Sequence, residues 1–263
     1  MRSMSVLCAV FVVAALHPLM AAPVAVRFAE GVAHGFLVLR DLGGATLAQG
    51  DLLQFGRDGG IDKRMVFRFK DGSVFDEKVT YTERGVYALK SYNLSQRGPA
   101  FAADMEISMT PATGAYRVTS KDHQGGEEQV FEGRLDLPSD LYNGMILTVV
   151  KDLPKGAGAI IHYVAFTPQP RLIELELSPA GEQKLVVGEL TKPAVHYVMK
   201  PRLGMWLKLF ATILRRVPED LHVWILTDEV PAFAGFEGSL TTPGPVWRIE
   251  LVNPRRPEPA GSH

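Results

Sequence analysis

The chain has 263 residues and a formal net charge of −1, and 46% of its residues are hydrophobic against 22% charged. This balance excludes an intrinsically disordered chain, which would be poorer in apolar residues and further from neutrality. The chain also lacks the excess of positive charge that nucleic-acid binding requires, so no nucleic-acid partner is expected.

The first 21 residues have the features of a secretory signal peptide. Arg2 is followed by an apolar stretch over 6–16 and then by small residues, of which Ala21 and Ala22 compete as the cleavage site. The stretch is shorter than the roughly 20 residues that span a bilayer, so a membrane anchor is disfavoured. The single cysteine, Cys8, lies in this segment, so the mature chain forms no disulfide. We therefore expect a periplasmic or secreted protein with a cleavable signal peptide over 1–21.

Segments with an alternation of apolar and polar residues recur along the mature chain and predict β-strands. Residues 70–73 (KDGS) predict a hairpin turn of the Asp-Gly type. The predicted strands are 24–29, 35–40, 46–56, 64–70, 74–83, 86–95, 104–109, 114–120, 128–137, 159–166, 171–178, 184–190, 194–200, 222–227 and 246–252.

Most of these strands have one apolar and one polar face, which is typical of antiparallel sheets. Roughly 12 to 15 strands are too many for one flat sheet, so the sheet is expected to curl, split or close into a barrel. The pattern predicts a mainly β (α+β) fold, with a large curved antiparallel sheet or half-barrel. Residues 22–252 are expected to form this single domain, and the Pro-rich tail over 253–263 to be disordered.

Two stretches have the periodicity of amphipathic helices that would cover the concave face of the sheet. The first runs to about residue 151, with Ser139 or Asp140 as its N-cap. The second runs over about 205–216. Basic residues on and around the second helix are more typical of a helix that covers an apolar core, with their stems over its edge, and they also allow peripheral contact with a membrane. These residues are Lys200, Arg202, Lys208, Arg215 and Arg216.

The sequence contains no established catalytic, nucleotide-binding or metal-binding motif, and no cofactor is expected. His162, His196 and His222 lie on predicted strands and would form a metal or catalytic site only if the fold brought them together. The carboxylates of Glu174 and Glu176 share a strand face, which is more typical of a solvated surface than of a glycosidase pair.

The apolar faces are rich in methionine and aromatic residues, which suit variable apolar partners but also fill ordinary cores. A curved sheet lined in this way is able to hold a lipid-like ligand. The predicted cavity and lid residues are Met65, Phe67, Phe69, Tyr81, Met105, Tyr142, Met145, Ile146, Trp206 and Phe210.

Several motifs resemble a family of uncharacterised exported bacterial proteins. The motifs are LDLP at 135–138, DLYNG at 140–144, KPRLG at 200–204, PEDLHVWI at 218–225 and PVWRIEL at 245–251. The order of strands and inserted helix is also similar to the half-barrel of periplasmic lipoprotein carriers of the LolA/LolB type. That resemblance implies a curved antiparallel sheet with helices on its concave face, and it assigns no ligand-binding residue.

The sequence thus predicts an exported, soluble protein that binds or carries a hydrophobic, lipid-like molecule in the bacterial periplasm. The helices around Met145 and Trp206 would serve as a plug or lid. Two alternatives stay open. One is a non-enzymatic docking or assembly module of the cell envelope. The other, less favoured, is an enzyme with a site formed by the strand histidines and Glu174.

Overall fold

The computed structural model describes residues 21–57, 59–187, 190–202, 220–241 and 244–252. In these ranges the chain forms one antiparallel sheet of 14 strands and one short helix, α1 (Ile146–Lys151). The strands are β1 (Ala33–Arg40), β2 (Thr46–Arg57), β3 (Gly60–Phe69), β4 (Val74–Arg84), β5 (Val86–Arg97), β6 (Ala103–Thr110), β7 (Ala115–Asp122), β8 (Gln129–Arg134), β9 (Ala159–Phe166), β10 (Pro170–Val187), β11 (Leu190–Arg202), β12 (Leu221–Leu226), β13 (Ala232–Ser239) and β14 (Val246–Val252).

The sheet is built almost wholly from hairpins between neighbouring strands. Its order is β8-β7-β6-β5-β4-β3-β2-β1-β14-β13-β12-β11-β10-β9, so β1 pairs with β14 and the two edges are β8 and β9. The sheet does not close into a barrel. Gly72 has a φ of +87° in the turn between β3 and β4, as the predicted Asp-Gly hairpin requires.

The strand predictions are confirmed closely for β9 and β14, and three of them need correction. Residues 24–29 form no strand, although Ala25 makes an isolated bridge to Val86. The segments 171–178 and 184–190 belong largely to one strand, β10, which continues through a bulge. Strand β13 is absent from the predicted strands because its glycines suggest a turn, whereas Gly235 packs against the ring of Trp224.

The sheet curves strongly enough for distant strands to touch across its inner face. Tyr92 of β5 stacks against Phe166 of β9 with ring centroids 6.0 Å apart, and Phe69 of β3 lies 5.3 Å from Trp247 of β14. One continuous apolar core fills this face. The predicted mainly β fold with a curved antiparallel sheet is therefore confirmed.

The ring of Phe67 lies at the centre of this core and is fully buried. On the neighbouring strand β2, Gly50 leaves room for that ring, because a Cβ atom at Gly50 would lie only 2.5 Å from it. This close approach explains a glycine in the middle of a strand.

The first predicted helix is much shorter than expected, which corrects the proposed pair of long helices. It begins after Met145, and neither Ser139 nor Asp140 caps it. Residues 140–143 run instead alongside the edge strand β9. The predicted second helix over 205–216 lies outside the described residues, as do residues 1–20 and 253–263.

The backbone groups at the edge of β9 explain why residues 140–143 are not helical. The amide of His162 donates to the carbonyl of Asp140, and the amide of Tyr142 donates to the carbonyl of His162. The side chain of Asn143 both donates to and accepts from the backbone of Val164, at 2.8 Å each. An edge that would otherwise carry unpaired groups is therefore covered.

Replacing Phe67 with alanine is expected to lower the free energy of unfolding by about 3–5 kcal/mol, because the cavity lies in a close-packed core. Phe36→Ala on β1 is the matched control, since the side chain of Phe36 is 37% exposed. Urea denaturation monitored by circular dichroism measures both values. Similar losses for the two variants would contradict the assignment of Phe67 to the centre of the core.

Candidate functional site

A groove of about 780 Å³ lies on the outer face of the sheet, opposite the apolar core. It lies between the far half of the β10–β11 hairpin and the strands β12 to β14. Its lining residues are Gln183, Leu185, Val186, Val187, His222, Trp224, Ala234, Gly235, Glu237, Arg248, Ile249, Glu250, Leu251 and Val252.

The apolar end of the groove is formed by the β10–β11 hairpin. The pairing of β10 with β11 shifts between Pro179 and Gly181, where Gly181 has a φ of +127°. Beyond this bulge, Leu185 and Val187 pack with Trp224 against a second, small apolar cluster. The buried members of that cluster are Ala194, Leu226 and Ala234.

The other end of the groove carries a row of polar residues across adjacent strands. In the register of the sheet, His222 of β12 lies opposite Glu237 of β13, Glu237 lies opposite Arg248 of β14, and Arg248 lies opposite Arg40 of β1. The groove is therefore amphipathic along the strands, with aliphatic side chains beyond Trp224 and charged ones before it.

The carboxylates of this polar end are already paired with arginines. Arg248 donates to Glu237 through both Nε and an Nη atom, at 3.1 and 2.8 Å, and Arg40 Nε donates to Glu250 at 3.1 Å. Because each carboxylate has a guanidinium partner, the polar end presents little net negative charge.

Three aromatic rings are stacked beside the polar row. His196 of β11 lies parallel to Trp224 with ring centroids 4.9 Å apart, and the two imidazoles are 5.1 Å apart. His196 Nε2 and His222 Nδ1 are hydrogen-bonded at 2.9 Å. Burial and the neighbouring His222 lower the pKa of His196, while Glu237 acts in the opposite direction.

The indole N–H of Trp224 is the unusual group of the site. Its nitrogen is buried, yet it has no hydrogen-bond partner among the described residues. A buried N–H donor without an acceptor costs about 1–3 kcal/mol, so native structures seldom leave one unpaired. Because this nitrogen is closed off from solvent, an acceptor on a ligand would reach it only after neighbouring side chains move.

A second polar cluster lies inside the sheet, where the sequence predicts only apolar contacts. Lys63 of β3 is buried and donates from Nζ to Thr148 Oγ1 of α1 at 3.1 Å. The carboxylate of Glu77 accepts from the hydroxyl of Tyr92 at 3.2 Å. Burial lowers the pKa of Lys63 and raises that of Glu77, while the attraction between their charges opposes both shifts.

A buried carboxylate next to α1 anchors the N-terminal segment to the core. Asp152 accepts hydrogen bonds from the backbone amides of Arg27 and Phe28, at 2.6 and 2.7 Å, and from the hydroxyl of Tyr87 at 2.7 Å. Nearby, Glu30 forms an ion pair with Lys151. These contacts hold the N-terminal segment against the core, so Asp152 and Glu30 have structural partners.

The predicted cavity and lid residues that the structure describes all belong to, or pack against, the inner core. Six of them are buried: Met65, Phe67, Phe69, Tyr81, Tyr142 and Met145. Met105 and Ile146 are partly buried and pack against the same core. Trp206 and Phe210 lie outside the described residues. That these side chains line a cavity for a ligand stays a prediction.

The three strand histidines do not converge. His196 and His222 meet, but His162 lies on β9 and binds Asp140, with His162 Nδ1 2.8 Å from Asp140 Oδ2. Glu174 forms an ion pair with Arg202 at 3.3 Å. Nowhere in the described ranges do three His, Cys, Asp or Glu side chains come together in a way that would hold a metal ion.

The basic residues predicted to touch a membrane are described only in part. Lys200 pairs with Asp220 at 3.3 Å, and Arg202 pairs with Glu174. Lys208, Arg215 and Arg216 fall outside the described ranges. Among the residues that are described, no helix is long and apolar enough to cross a membrane.

The outer groove is not apparent in the sequence, because its lining residues come from four strands and share no regular spacing. One local signal is present in the sequence HVW at 222–224, where a tryptophan and a histidine alternate with the buried Val223. A large aromatic side chain on the polar face of a strand indicates either a covering element or a binding surface.

Comparisons with known proteins leave the function open. No protein-family model matches the chain, and no curated protein is significantly similar to it. The chain is similar to the crystal structure of a beta-barrel-like protein of domain of unknown function DUF1849 from Brucella abortus. The TM-score is 0.46 and the identity 11%, over 85% of this chain and 97% of that chain. None of these comparisons bears on the resemblance to carriers of the LolA/LolB type.

The charges of Lys63 and Glu77 are expected to be coupled. Lys63→Met alone should lower the free energy of unfolding by about 1–3 kcal/mol, because it removes the positive charge that opposes the desolvation of the Glu77 carboxylate. The double variant Lys63→Met, Glu77→Gln should recover most of that loss. Urea denaturation of the two single variants and the double variant at neutral pH gives the coupling energy.

Lys121→Met is the control for this cycle, because it removes a lysine from an exposed position of β7. Its effect on the free energy of unfolding should stay within about 0.5 kcal/mol. Strictly additive losses for Lys63→Met and Glu77→Gln would show that the two charges do not compensate each other.

Proposed function

We propose that this protein binds an amphipathic, lipid-like molecule in the groove on the outer face of its sheet, and that it does so after export to the bacterial periplasm. The observation that carries the proposal is the amphipathic groove itself. Its volume of about 780 Å³ lies within the range of about 300–1,000 Å³ that is typical of small-molecule sites. Export is supported by the signal-peptide features of residues 1–21.

The lining favours a ligand with one apolar and one polar end. Leu185, Val187 and Ala234 would contact a hydrocarbon chain, which gains about 25 cal/mol for each Å² of apolar surface removed from water. The row that contains His222, Glu237 and Arg248 would contact a polar head. No covalent step is needed for such binding.

The site differs from the one that the sequence suggested, although the class of ligand is the same. The inner face is occupied by its own side chains, whereas the outer groove is open. In a carrier of the LolA/LolB type, as the sequence motifs suggest, the ligand would bind on the inner face instead. Binding on the inner face is the second form of the proposal. Ligand displacement by changes at Met145, rather than at Val187, would favour it.

Alkyl glucosides of increasing chain length test the groove by isothermal titration calorimetry. Lengthening the chain from octyl to decyl is expected to tighten binding roughly tenfold, since each buried CH₂ contributes about 0.8 kcal/mol. Val187→Asp should abolish this gain, because it places a charge at the apolar end of the groove.

Leu172→Asp is the matched control, since Leu172 is an exposed leucine on the same strand β10, outside the groove. It should bind decyl glucoside as tightly as the wild-type protein. Binding that is independent of chain length, or equally weakened in both variants, would refute a lipid-like ligand in the groove.

A docking or assembly module is the second candidate, and the edge strand β8 favours it. All but one of the residues of β8 are exposed, and in the described part of the chain only β7 pairs with it. Such an edge is able to receive an extended strand of a partner protein. Native mass spectrometry of protein purified from a periplasm distinguishes the candidates, because a polypeptide adduct indicates docking and a lipid-sized adduct indicates ligand carriage.

A further inference from the structure

In the hydrogen-bonded pair of His196 and His222, the number of outward N–H donors depends on the protonation state. Since the two ring nitrogens are 2.9 Å apart, one imidazole donates its N–H and the other accepts. When both rings are neutral, one of the two outward nitrogens carries a proton and the other carries a lone pair. One added proton keeps the bond between the rings and turns both outward nitrogens into donors.

A donor-rich surface results at the polar end of the groove. The ring of His222 lines the groove, and His196 lies opposite Trp224, which also lines it. The carboxylates that would repel an anion, Glu237 and Glu250, are held by Arg248 and Arg40. With the carboxylates already bound, the protonated histidine pair presents hydrogen-bond donors that have no acceptor.

We propose that the polar head of the ligand is an anion, received by the His196–His222 pair, and that its binding takes up one proton onto the histidine pair. This inference rests on the proposed function, because it assigns the head group of a ligand whose chain occupies the groove. Stacking on Trp224 also favours the protonated pair, since an imidazolium is attracted to the face of an indole ring.

The surrounding charges permit one added proton but not two. The first is offset by the anionic head, whereas a second would break the bond between the rings and place two cations 5.1 Å apart. The charged groups on this part of the outer face are Glu176 of β10, Lys200 of β11, Asp220 before β12, Glu237 of β13, Arg248 and Glu250 of β14, and Arg40 of β1.

Three decyl amphiphiles that differ only in their heads test the inference. These are decyl sulfate, which stays ionised over the whole range, neutral decyl glucoside and cationic decyltrimethylammonium. Calorimetry from pH 5.5 to 8 is expected to show decyl sulfate binding more tightly as the pH falls, by up to about tenfold for each pH unit. Titrations in two buffers of different ionisation enthalpy should give an uptake approaching one proton.

His222→Gln should abolish this proton uptake and the pH dependence of decyl sulfate binding. His196→Gln provides a second variant, and thermal unfolding followed by circular dichroism confirms that each is folded. His123→Gln is the matched control, because His123 binds Asp104 outside the groove. It should retain the wild-type pH dependence.

The outcomes separate the inference from the proposed function. If decyl glucoside binds in the groove but decyl sulfate binds without proton uptake, or only as tightly as the cation, the anionic head is refuted and the groove stands. If none of the three amphiphiles binds, both are refuted. Retention of the proton uptake in both histidine variants would also overturn the assignment.

Discussion

A sheet that curves without closing has to satisfy two edges and two faces, and this constraint determines most of the structure. The inner face is satisfied by the apolar core, in which rings from opposite ends of the strand order touch. The edge at β9 is satisfied by residues 140–143, whose backbone and side chains bond to it. In the described part of the chain, β8 pairs on one side only, and a groove is open on the outer face. Binding is therefore expected at the free edge of β8 or in the outer groove.

The outer groove follows from the length of one hairpin. β10 and β11 continue beyond the neighbouring strand β12, and a bulge near Gly181 interrupts their register. The extended end brings Leu185 and Val187 onto a surface that would otherwise be polar. The β-bulge thus gives the sheet a second apolar cluster, on the side opposite the main core.

The architecture could be predicted from the sequence because alternation along a strand reports directly on which face is buried. The strand 159–166 was predicted with its exact limits for this reason. The helix at 139–151 was not, since an Asp that suits an N-cap also suits a bridge to His162, and only the position of β9 decides between them. Local patterns do not contain that information.

The candidate site was beyond prediction for a similar reason. His196 and His222 are 26 residues apart, and nothing in their spacing indicates that they are hydrogen-bonded. Their meeting depends on the register of β11 against β12, which is set by the whole sheet. Lys63 shows a second limit of local patterns. A lysine in a strand suggests exposure, yet Lys63 is buried and its charge interacts with that of Glu77.

The strand order has a consequence for how the chain could be divided. Strands β1–β8 and β9–β14 each form an unbroken succession of hairpins, and among the described strands the one ladder that joins the two sets is β1 with β14, from Phe36–Val252 to Arg40–Arg248. The chain passes between the sets only once, through residues 135–158. A cut within that connection would therefore give two complementary fragments. They would meet along the five residue pairs of β1 with β14, in the shared core and, for a cut after residue 143, through the bonds of residues 140–143 to β9.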